Sequence, residues 1–585
     1  MLRLFSKLRK RDWCCLGTAI VFIVAQVWLD LKMPDYMSEI TKLVQTPGSE
    51  MSDVMTAGGK MLICALGSLI AAVIVAVMAS RIATDFGADI RKLMFSKVQS
   101  FSMEEIGKFS TASLITRSTN DIQQVQMLIV MGLQSIIKAP IMAVWAIAKI
   151  AGKNSKWTFT TATAVVILLI LVIICVTVAL PKFKQLQRLT DDVNRVTREN
   201  LTGIRVVRAY NAETYQEEKF ETVNNNLTRT HLFTSKTMAF MMPAIQLVMN
   251  GLTLAIYWLG AAMINEAEMF DKITLFSDMI VFTQYAMQVV MAFMMLVMIF
   301  IIFPRASVAA KRINEVLTTE LSIKDGADSY KKTNETGTVE FKNVNFKYVD
   351  SEEYVLENIS FSAKKGETVA IIGATGCGKS TVVNMIPRFY DATEGEVLVD
   401  GVNVKEYSQK ALRNKIGYVS QKATLFSGNI YENIAYGDNG KSSILKSDVV
   451  DAVYTAQASD FIEKLPDGYE AHVAQGGTNF SGGQKQRLSI ARAICKRPEI
   501  FIFDDSFSAL DYKTDKVLRE RLAKDCKDAT KLIVAQRIGT IRDADQIIVL
   551  EDGKIVGKGK HNELMQNCET YRQIAYSQLS KEELA

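Results

Sequence analysis

The sequence holds few residues of the kinds that build metal centres, disulfide frameworks or nucleic-acid surfaces. Its three histidines lie far apart, at positions 231, 472 and 561, so a zinc site is not expected. The eight cysteines form no CxxC pair and no disulfide-like spacing, which indicates reduced thiols on the cytoplasmic side. A net charge of +6 over 585 residues is too small to argue for nucleic-acid binding.

What the chain does have is apolar sequence. Hydrophobic residues make up 49% of it while 22% of the residues are charged, a mixture that favours a membrane half joined to a soluble half. Six runs are long enough to cross about 30 Å of hydrocarbon at about 1.5 Å per residue. They lie at 14–34, 58–80, 127–150, 157–180, 237–264 and 273–303. We therefore expect an α-helical six-span transmembrane domain.

The orientation follows from charge. The first eleven residues are rich in Lys and Arg and free of acid, and the apolar run behind them has no small-residue cleavage site. We read it as a spanning helix with a cytoplasmic N-terminus, and six spans return the chain to that side. Segments 81–126 and 181–236 read as amphipathic helices that continue the spans beyond the bilayer, with turns near residues 110 and 202.

The composition changes near residue 321. A stretch rich in Asp, Gly, Ser, Lys, Thr and Asn comes first, and short β-like runs and turns follow it. We expect a transmembrane domain at 1–320, a linker at 321–337 and a nucleotide-binding domain of the α/β P-loop class at 338–585.

The glycine-rich loop from Gly373 to Ser380 is the first motif that carries chemistry. It follows a buried strand at 369–372 and opens a helix, which is the context that a phosphate-binding loop requires. Lys379 is expected to reach the β- and γ-phosphates of ATP, and the Ser380 hydroxyl to ligate Mg²⁺. The predicted nucleotide-binding residues here are Gly373, Thr375, Gly376, Cys377, Gly378, Lys379, Ser380 and Thr381.

A second motif set lies further along the chain. The apolar strand 500–503 ends in Asp504, a predicted Mg²⁺ contact, and a short helix separates it from Ser481-Gly482-Gly483-Gln484. Together with the phosphate loop, these motifs resemble the ABC ATPases. With the six spans ahead of them, nearly the whole chain resembles the ABC exporter half-transporters, in particular the degenerate-site subunit of a heterodimeric bacterial multidrug-type exporter.

The resemblance implies further roles. Tyr348 matches the aromatic residue that stacks on adenine, although it could be a plain strand tyrosine. Gln421 matches the glutamine that touches Mg²⁺ and links to the membrane domain. In the family, one subunit's phosphate loop and the other's signature enclose ATP. The residues that would serve the partner's ATP are Ser481, Gly482, Gly483 and Gln484.

Two positions depart from the family pattern. Asp505 stands where the family usually has a catalytic Glu, and Gln536 where it usually has a His. Hydrolysis needs a carboxylate placed to polarise water, and misplacement by about 1 Å can cost roughly a hundredfold in rate. With Gln421, these are the candidate catalytic positions. We expect this site to retain ATP and hydrolyse it poorly, although harmless drift is the alternative.

The expected partner is a second half-transporter that has the Glu and the His. The expected cargo is hydrophobic or amphiphilic, moved by ATP-driven alternating access across a bacterial plasma membrane. Candidate residues of the path are Lys138, Met287, Met291 and Met295, although lipid-facing or packed methionines are the plainer interpretation. Alternatives are a lipid or peptide exporter, a regulatory ATP-binding subunit without its own substrate path, and an active homodimer.

Overall fold

The computed structural model describes residues 2–46, 48–151, 154–326, 335–349, 351–437, 440 and 444–578. The chain forms two compact units. One holds Met1–Gln99 and Ala112–Thr319, and the other holds Ser100–Thr111 and Glu320–Ala585. Part of the predicted linker, 327–334, lies outside the described residues.

Between residues 2 and 319, every regular element in the described part of the chain is a helix. A π-helical turn, Leu133–Lys138, follows the sixth helix, and Pro140, which has no N–H to donate, comes two residues after it. The helices are α1 (Leu2–Phe5), α2 (Lys10–Gln45), α3 (Met51–Gln99), α4 (Met103–Phe109), α5 (Thr111–Ser118), α6 (Asn120–Gly132), α7 (Ala139–Ala151), α8 (Ser155–Thr202), α9 (Ile204–Ala209), α10 (Glu213–Glu266) and α11 (Met269–Thr318).

Six helical stretches of the described chain are long and apolar enough to cross a membrane, and each contains one predicted span. They are Lys10–Gln45, Met51–Gln99, Thr111–Ala151, Ser155–Thr202, Glu213–Glu266 and Asp271–Thr318. The predicted six-span architecture is therefore confirmed. The 54 residues of α10 extend about 80 Å, so this helix continues well beyond the hydrocarbon, as the amphipathic pattern predicts.

Backbone breaks lie near both predicted turns. Ser110, between α4 and α5, has φ +54°, and α8 ends at Thr202, where Gly203 separates it from α9; a further break, at Asn211 with φ +50°, separates α9 from α10. Left-handed residues of this kind end helices. The segment Ser100–Thr111 groups with the second unit, where a Glu105 carboxylate oxygen accepts the N–H of Ser322 at 2.7 Å.

The second unit is built on β-sheets. Its strands are β1 (Val339–Phe346), β2 (Leu356–Ala363), β3 (Thr368–Gly373), β4 (Glu394–Val399), β5 (Val402–Asn403), β6 (Ile416–Val419), β7 (Gly428–Asn429), β8 (His472–Val473), β9 (Ile500–Asp504), β10 (Thr530–Val534), β11 (Gln546–Glu551) and β12 (Lys554–Gly559). The central sheet has the order β12-β11-β3-β10-β9-β6, with parallel pairing from β11 to β6, and a second sheet has the order β2-β1-β4-β5.

The described residues from 335 onward also contain ten α-helices. They are α12 (Lys379–Met385), α13 (Gln409–Asn414), α14 (Ile430–Ile434), α15 (Lys446–Thr455), α16 (Ser459–Ile462), α17 (Gly482–Cys495), α18 (Tyr512–Asp525), α19 (Ile538–Ile541), α20 (His561–Asn567) and α21 (Glu569–Gln578), with 3₁₀ turns at Val404–Glu406, Gly468–Glu470 and Gln475–Gly477. Every residue of β9 and β10 is buried, as expected for parallel strands covered on both faces. The predicted α/β nucleotide-binding fold is confirmed.

Candidate nucleotide and substrate sites

The phosphate loop and three further predicted site residues lie at the carboxyl ends of the strands of the central sheet. The phosphate loop follows β3, Asp504 ends β9, Gln421 comes two residues after β6, and Gln536 comes two residues after β10. The strands β3, β10, β9 and β6 are consecutive parallel neighbours, so their carboxyl ends lie side by side. Ligands of open α/β sheets bind outside these ends.

The phosphate loop is shaped by its glycines. A Cβ on Gly373 would lie 2.1 Å from the carbonyl oxygen of Leu550, so no larger residue fits there, and Gly378 has φ +98°. The Lys379 ammonium donates to the carbonyl oxygens of Gly373 at 2.8 Å and Ala374 at 2.6 Å. These bonds hold the cation over the loop, where it can meet phosphate oxygens.

Two oxygen groups suit a hard cation. The Ser380 hydroxyl donates to the Asp504 carboxylate at 2.8 Å, which brings two of the three predicted Mg²⁺ contacts together. Oxygen ligands of this type fit Mg²⁺, which is bound through one or two carboxylates together with substrate phosphates. Burial raises the pKa of Asp504, the Ser380 hydrogen bond opposes the rise, and neighbouring Asp505 adds to it.

Asp505 occupies the centre of the altered site. One carboxylate oxygen, Oδ2, accepts the side-chain amide of Gln536 at 2.8 Å and that of Gln421 at 3.3 Å. The backbone of Asp505 is left-handed, with φ +47°, and its carbonyl oxygen accepts the Ser508 hydroxyl at 2.8 Å. Burial raises the pKa of the Asp505 carboxyl, and the amide and hydroxyl donors oppose this rise. The three candidate catalytic residues therefore converge on one oxygen.

Tyr348 lies beside the phosphate loop. Its hydroxyl is 3.1 Å from the Thr381 hydroxyl, and its ring makes edge contacts with Phe346 and Tyr390. Tyr348 is 37% exposed, so the residue is partly open to solvent beside the phosphate loop. The sequence does not single out Tyr390, since nothing in its local pattern links it to Tyr348.

The signature residues begin α17. The Ser481 hydroxyl accepts the N–H of Gln484 at 3.3 Å and the Gln484 side chain accepts the N–H of Ser481 at 2.9 Å, a reciprocal capping box. Gly482 is exposed, and a Cβ there would meet nothing within 4 Å. This cap leaves the Gly482–Gly483 backbone open to a ligand from outside.

In the membrane unit, Lys138 has a counter-ion within the chain. Its ammonium is 3.3 Å from an Asp30 carboxylate oxygen, the second Asp30 oxygen accepts the Ser68 hydroxyl, and the Asp30 carbonyl accepts the Gln288 amide at 3.2 Å. The sequence indicates Lys138 as a candidate residue of the substrate path but does not single out Asp30. Pairings between separate helices leave no local pattern by which to find them.

Met287, Met291 and Met295 of α11 lie away from the helix's buried face, whereas Met279 of the same helix is buried in the core. That buried face includes Phe282, Tyr285 and Val289. Met291 is 50% exposed, while Met287 and Met295 are half-buried. Gln284 is exposed on the same stripe as Met287 and Met291. A side-chain amide is unfavourable against lipid, which favours a stripe that faces protein or a water-filled cavity.

Comparison with known proteins identifies the family of the chain. The models "ABC transporter transmembrane region" and "ABC transporter" match residues 16–293 and 356–508. An uncharacterized ABC transporter ATP-binding protein of Mycobacterium tuberculosis is 39% identical over 521 residues, 89% of this chain and 87% of that protein. An ATP-dependent lipid A-core flippase of Haemophilus influenzae is 34% identical over 398 residues, 68% of this chain and 66% of the flippase.

A solved structure of a bacterial Atm1-family ABC exporter with ATP bound has the same fold. Its TM-score is 0.79 at 24% identity, and the match covers 97% of this chain and 99% of that one. An integral membrane region of six spans thus precedes an ATP-binding domain with the phosphate loop and the signature both present. The chain belongs to the ABC transporter family and has the fold of an exporter half-transporter, with a six-span membrane region fused to an ABC ATPase domain.

Proposed function

We propose that the chain is one half of a heterodimeric exporter, with its nucleotide domain and N-terminus on the cytoplasmic side of a bacterial plasma membrane. Its domains are the transmembrane domain at 1–320, the linker at 321–337 and the nucleotide-binding domain at 338–585. Its own phosphate loop retains ATP, and its signature completes a catalytic site on the partner. The observation that carries this proposal is that the two altered residues lie together, since Asp505 Oδ2 accepts the Gln536 amide at 2.8 Å, next to the Ser380–Asp504 pair.

The chemistry of the altered site supports slow hydrolysis. Asp505 is one methylene shorter than Glu, so its carboxylate is drawn back by about 1.5 Å, enough to cost roughly a hundredfold in rate. Gln536 can donate a hydrogen bond, but it cannot become a cation near neutral pH as His can.

The binding residues support retention of ATP. Lys379 and the glycine loop suit the phosphates, Tyr348 suits the adenine, and Ser380 with Asp504 suits Mg²⁺, with Gln421 as a further oxygen contact. Bound Mg²⁺ neutralises phosphate charge at such sites. These residues do the binding, while the residues that would cleave the nucleotide are the altered ones.

The signature supports a role toward a second subunit. The Ser481 hydroxyl and the exposed N-terminus of the 14-residue helix α17 suit the γ-phosphate of a nucleotide held by another chain. A partner with Glu and His at the altered positions would supply the missing hydrolysis. A homodimer would contain two weak sites, so a heterodimer is the assembly that this division of roles favours.

The cargo that we propose is a hydrophobic or amphiphilic compound drawn from the cytoplasm or the inner leaflet of the lipid bilayer. The adaptable thioethers of Met287, Met291 and Met295 suit apolar groups, and Gln284 adds a polar contact on the same stripe. The flippase of Haemophilus influenzae, whose name gives a lipid as its cargo, supports a lipid exporter as the second candidate.

The test of the altered site is the turnover of the purified chain. Alone, it should bind ATP and hydrolyse it slowly, because both of its sites would be of the altered kind. The double variant Asp505→Glu, Gln536→His should raise hydrolysis by about tenfold or more, since it restores the reach of the carboxylate and a group that can be cationic. Vigorous turnover by the unmodified chain would contradict the proposal.

The test of the substrate path is cross-linking in the assembled transporter with a photoreactive phospholipid and a photoreactive apolar amine. Labelling at Met291 would place cargo against this chain, and the preferred probe would separate a lipid exporter from a drug exporter. Labelling confined to the partner would favour a regulatory subunit that has no substrate path of its own.

A further inference from the structure

The last described helix, α21, reaches back to the nucleotide site. The side chain of Gln578 donates from Nε2 to the carbonyl oxygen of Gln536 at 2.6 Å and accepts at Oε1 the N–H of Ile538 at 2.9 Å. One amide therefore bridges both ends of the three-residue turn 536–538, whose first residue is a candidate catalytic position.

The position of Gln578 is set by the buried face of α21. Tyr571 and Ala575 are fully buried, and positions 571, 575 and 578 share one helical face. The Tyr571 hydroxyl lies 2.7 Å from Nδ1 of the buried His561 in α20. This packing fixes the axis and the rotation of α21, so the amide of Gln578 is presented to the turn at a defined place.

The chemistry of the bridge requires a donor and an acceptor on one side chain. A primary amide has both, whereas a carboxylate can only accept and an ammonium can only donate. The N–H of Ile538 is one of the unpaired groups at the start of the helix α19, so the Oε1 contact also caps that helix. Both the nitrogen and the oxygen of the Gln578 amide are therefore needed to hold the two ends of the turn.

The opposite side of the turn is held by a second contact. The Arg537 guanidinium donates to the carbonyl oxygen of Ser508 at 3.1 Å and weakly to that of Leu510 at 3.5 Å. The turn is therefore fixed between the C-terminal helix and the loop that follows Asp505. Its remaining polar side chain, that of Gln536, donates to Asp505 Oδ2 at 2.8 Å.

We propose that Gln578 is a positioning residue for the ATPase reaction at this chain's phosphate loop. It holds the turn 536–538 so that the Gln536 amide stays at the Asp505 carboxylate. It touches neither the nucleotide nor the reacting atoms and acts only through Gln536. This role goes beyond the proposed division of sites, because it applies whether hydrolysis at this loop is slow or fast.

The experiment uses the full chain in lipid nanodiscs and measures single-turnover hydrolysis of radiolabelled ATP. Gln578→Ala should lower the rate about fivefold, the size expected for the net loss of a hydrogen bond, with the KM for ATP unchanged. Gln578→Glu has the same shape but cannot donate to the Gln536 carbonyl, so it should lose at least as much. The matched control is Gln573→Ala, on the same helix, whose side chain is exposed and donates to Glu569.

A double-mutant cycle separates positioning from a general structural effect. In a Gln536→Ala background, Gln578→Ala should cause no further loss, because it acts through the missing side chain. Amide hydrogen exchange at Ile538 should become faster in Gln578→Ala and stay unchanged in Gln573→Ala. A full additional loss in the Gln536→Ala background, or an unchanged rate in Gln578→Ala, would overturn the proposal.

These outcomes are independent of the test of the altered site. The proposal of slow hydrolysis is judged on the absolute rate of the unmodified chain. The positioning role is judged on ratios of rates within one set of variants and on exchange at one amide. Either proposal can therefore fail while the other stands.

Discussion

The phosphate-loop side and the signature side of the nucleotide domain are organised in opposite ways. On the phosphate-loop side, the functional side chains form hydrogen bonds within this chain: Lys379 donates to a carbonyl oxygen of the loop, and Gln536 donates to Asp505. On the signature side, the Ser481 and Gln484 side chains each accept the backbone N–H of the other residue. A Cβ on Gly482 would meet nothing within 4 Å. The first side is arranged to hold a ligand in place, whereas the second is arranged to receive one that another chain brings.

The largest expected effect is on the phosphate-loop side. Lys379→Ala removes the ammonium from the loop and should weaken ATP binding to the purified chain about a hundredfold, since two phosphate contacts to a charged group are lost. Titration with a fluorescent ATP analogue measures it. Lys485→Ala is the control, because this lysine lies by the signature and donates to the Gly476 carbonyl at 3.1 Å. An equal loss of ATP affinity in both variants would show that the two sides do not differ in how they bind this chain's own nucleotide.

The next effect belongs to the signature side. Ser481→Ala removes the hydroxyl that is proposed to meet the partner's γ-phosphate and should lower turnover of the assembled transporter by about tenfold to a hundredfold. ATP binding by this chain's own loop should not change. Both are measured on the same preparation, as steady-state ATPase activity and as nucleotide affinity.

Ser481 also caps α17, so its loss has a structural cost of about 1 kcal/mol. Ser408→Ala is the matched control, because Ser408 caps α13 by accepting the N–H of Ala411 at 3.4 Å. A loss of turnover as large in Ser408→Ala as in Ser481→Ala would show that the cap, and not the phosphate contact, explains the result.

A smaller effect tests the base-binding end of the phosphate-loop side. Tyr348→Ala should lower ATP affinity about tenfold, because stacking a base on an aromatic ring is worth about 1–3 kcal/mol. Tyr348→Phe keeps the ring, loses only the contact with Thr381, and should stay within about threefold of the unmodified chain. Tripolyphosphate has no base, so its affinity should be the same in all three proteins; a parallel loss would count against stacking.

The sequence predicts features that are local or repeated. The spans follow from apolar length, and the phosphate loop and the signature are each read from consecutive residues. It does not predict which side chains meet across the fold. Asp505 lies 31 residues from Gln536 and 84 from Gln421, and only the parallel order of β10, β9 and β6 brings them together. The Lys138–Asp30 pair is of the same kind, since it depends on how two spans pack.

The smallest effect is the sharpest test of the contrast. Gly482 begins α17, and an added methyl group would meet nothing within 4 Å inside this chain. Gly482→Ala should therefore stabilise the domain against unfolding by roughly 0.5 kcal/mol, because alanine loses less conformational freedom in a helix. It should also lower turnover of the assembled transporter several-fold, since the methyl group would stand where the partner's phosphate approaches.

Gly483 provides the comparison within the motif, because a Cβ there would lie 3.3 Å from the Ala509 carbonyl oxygen, so Gly483→Ala should gain less stability. Thermal unfolding and ATPase activity measured together decide the matter. A variant at Gly482 that is more stable and fully active would mean that the open backbone of the signature receives nothing. A variant that is more stable and less active would mean that this chain keeps the glycine, at a cost to its own fold, for a nucleotide that it does not hold.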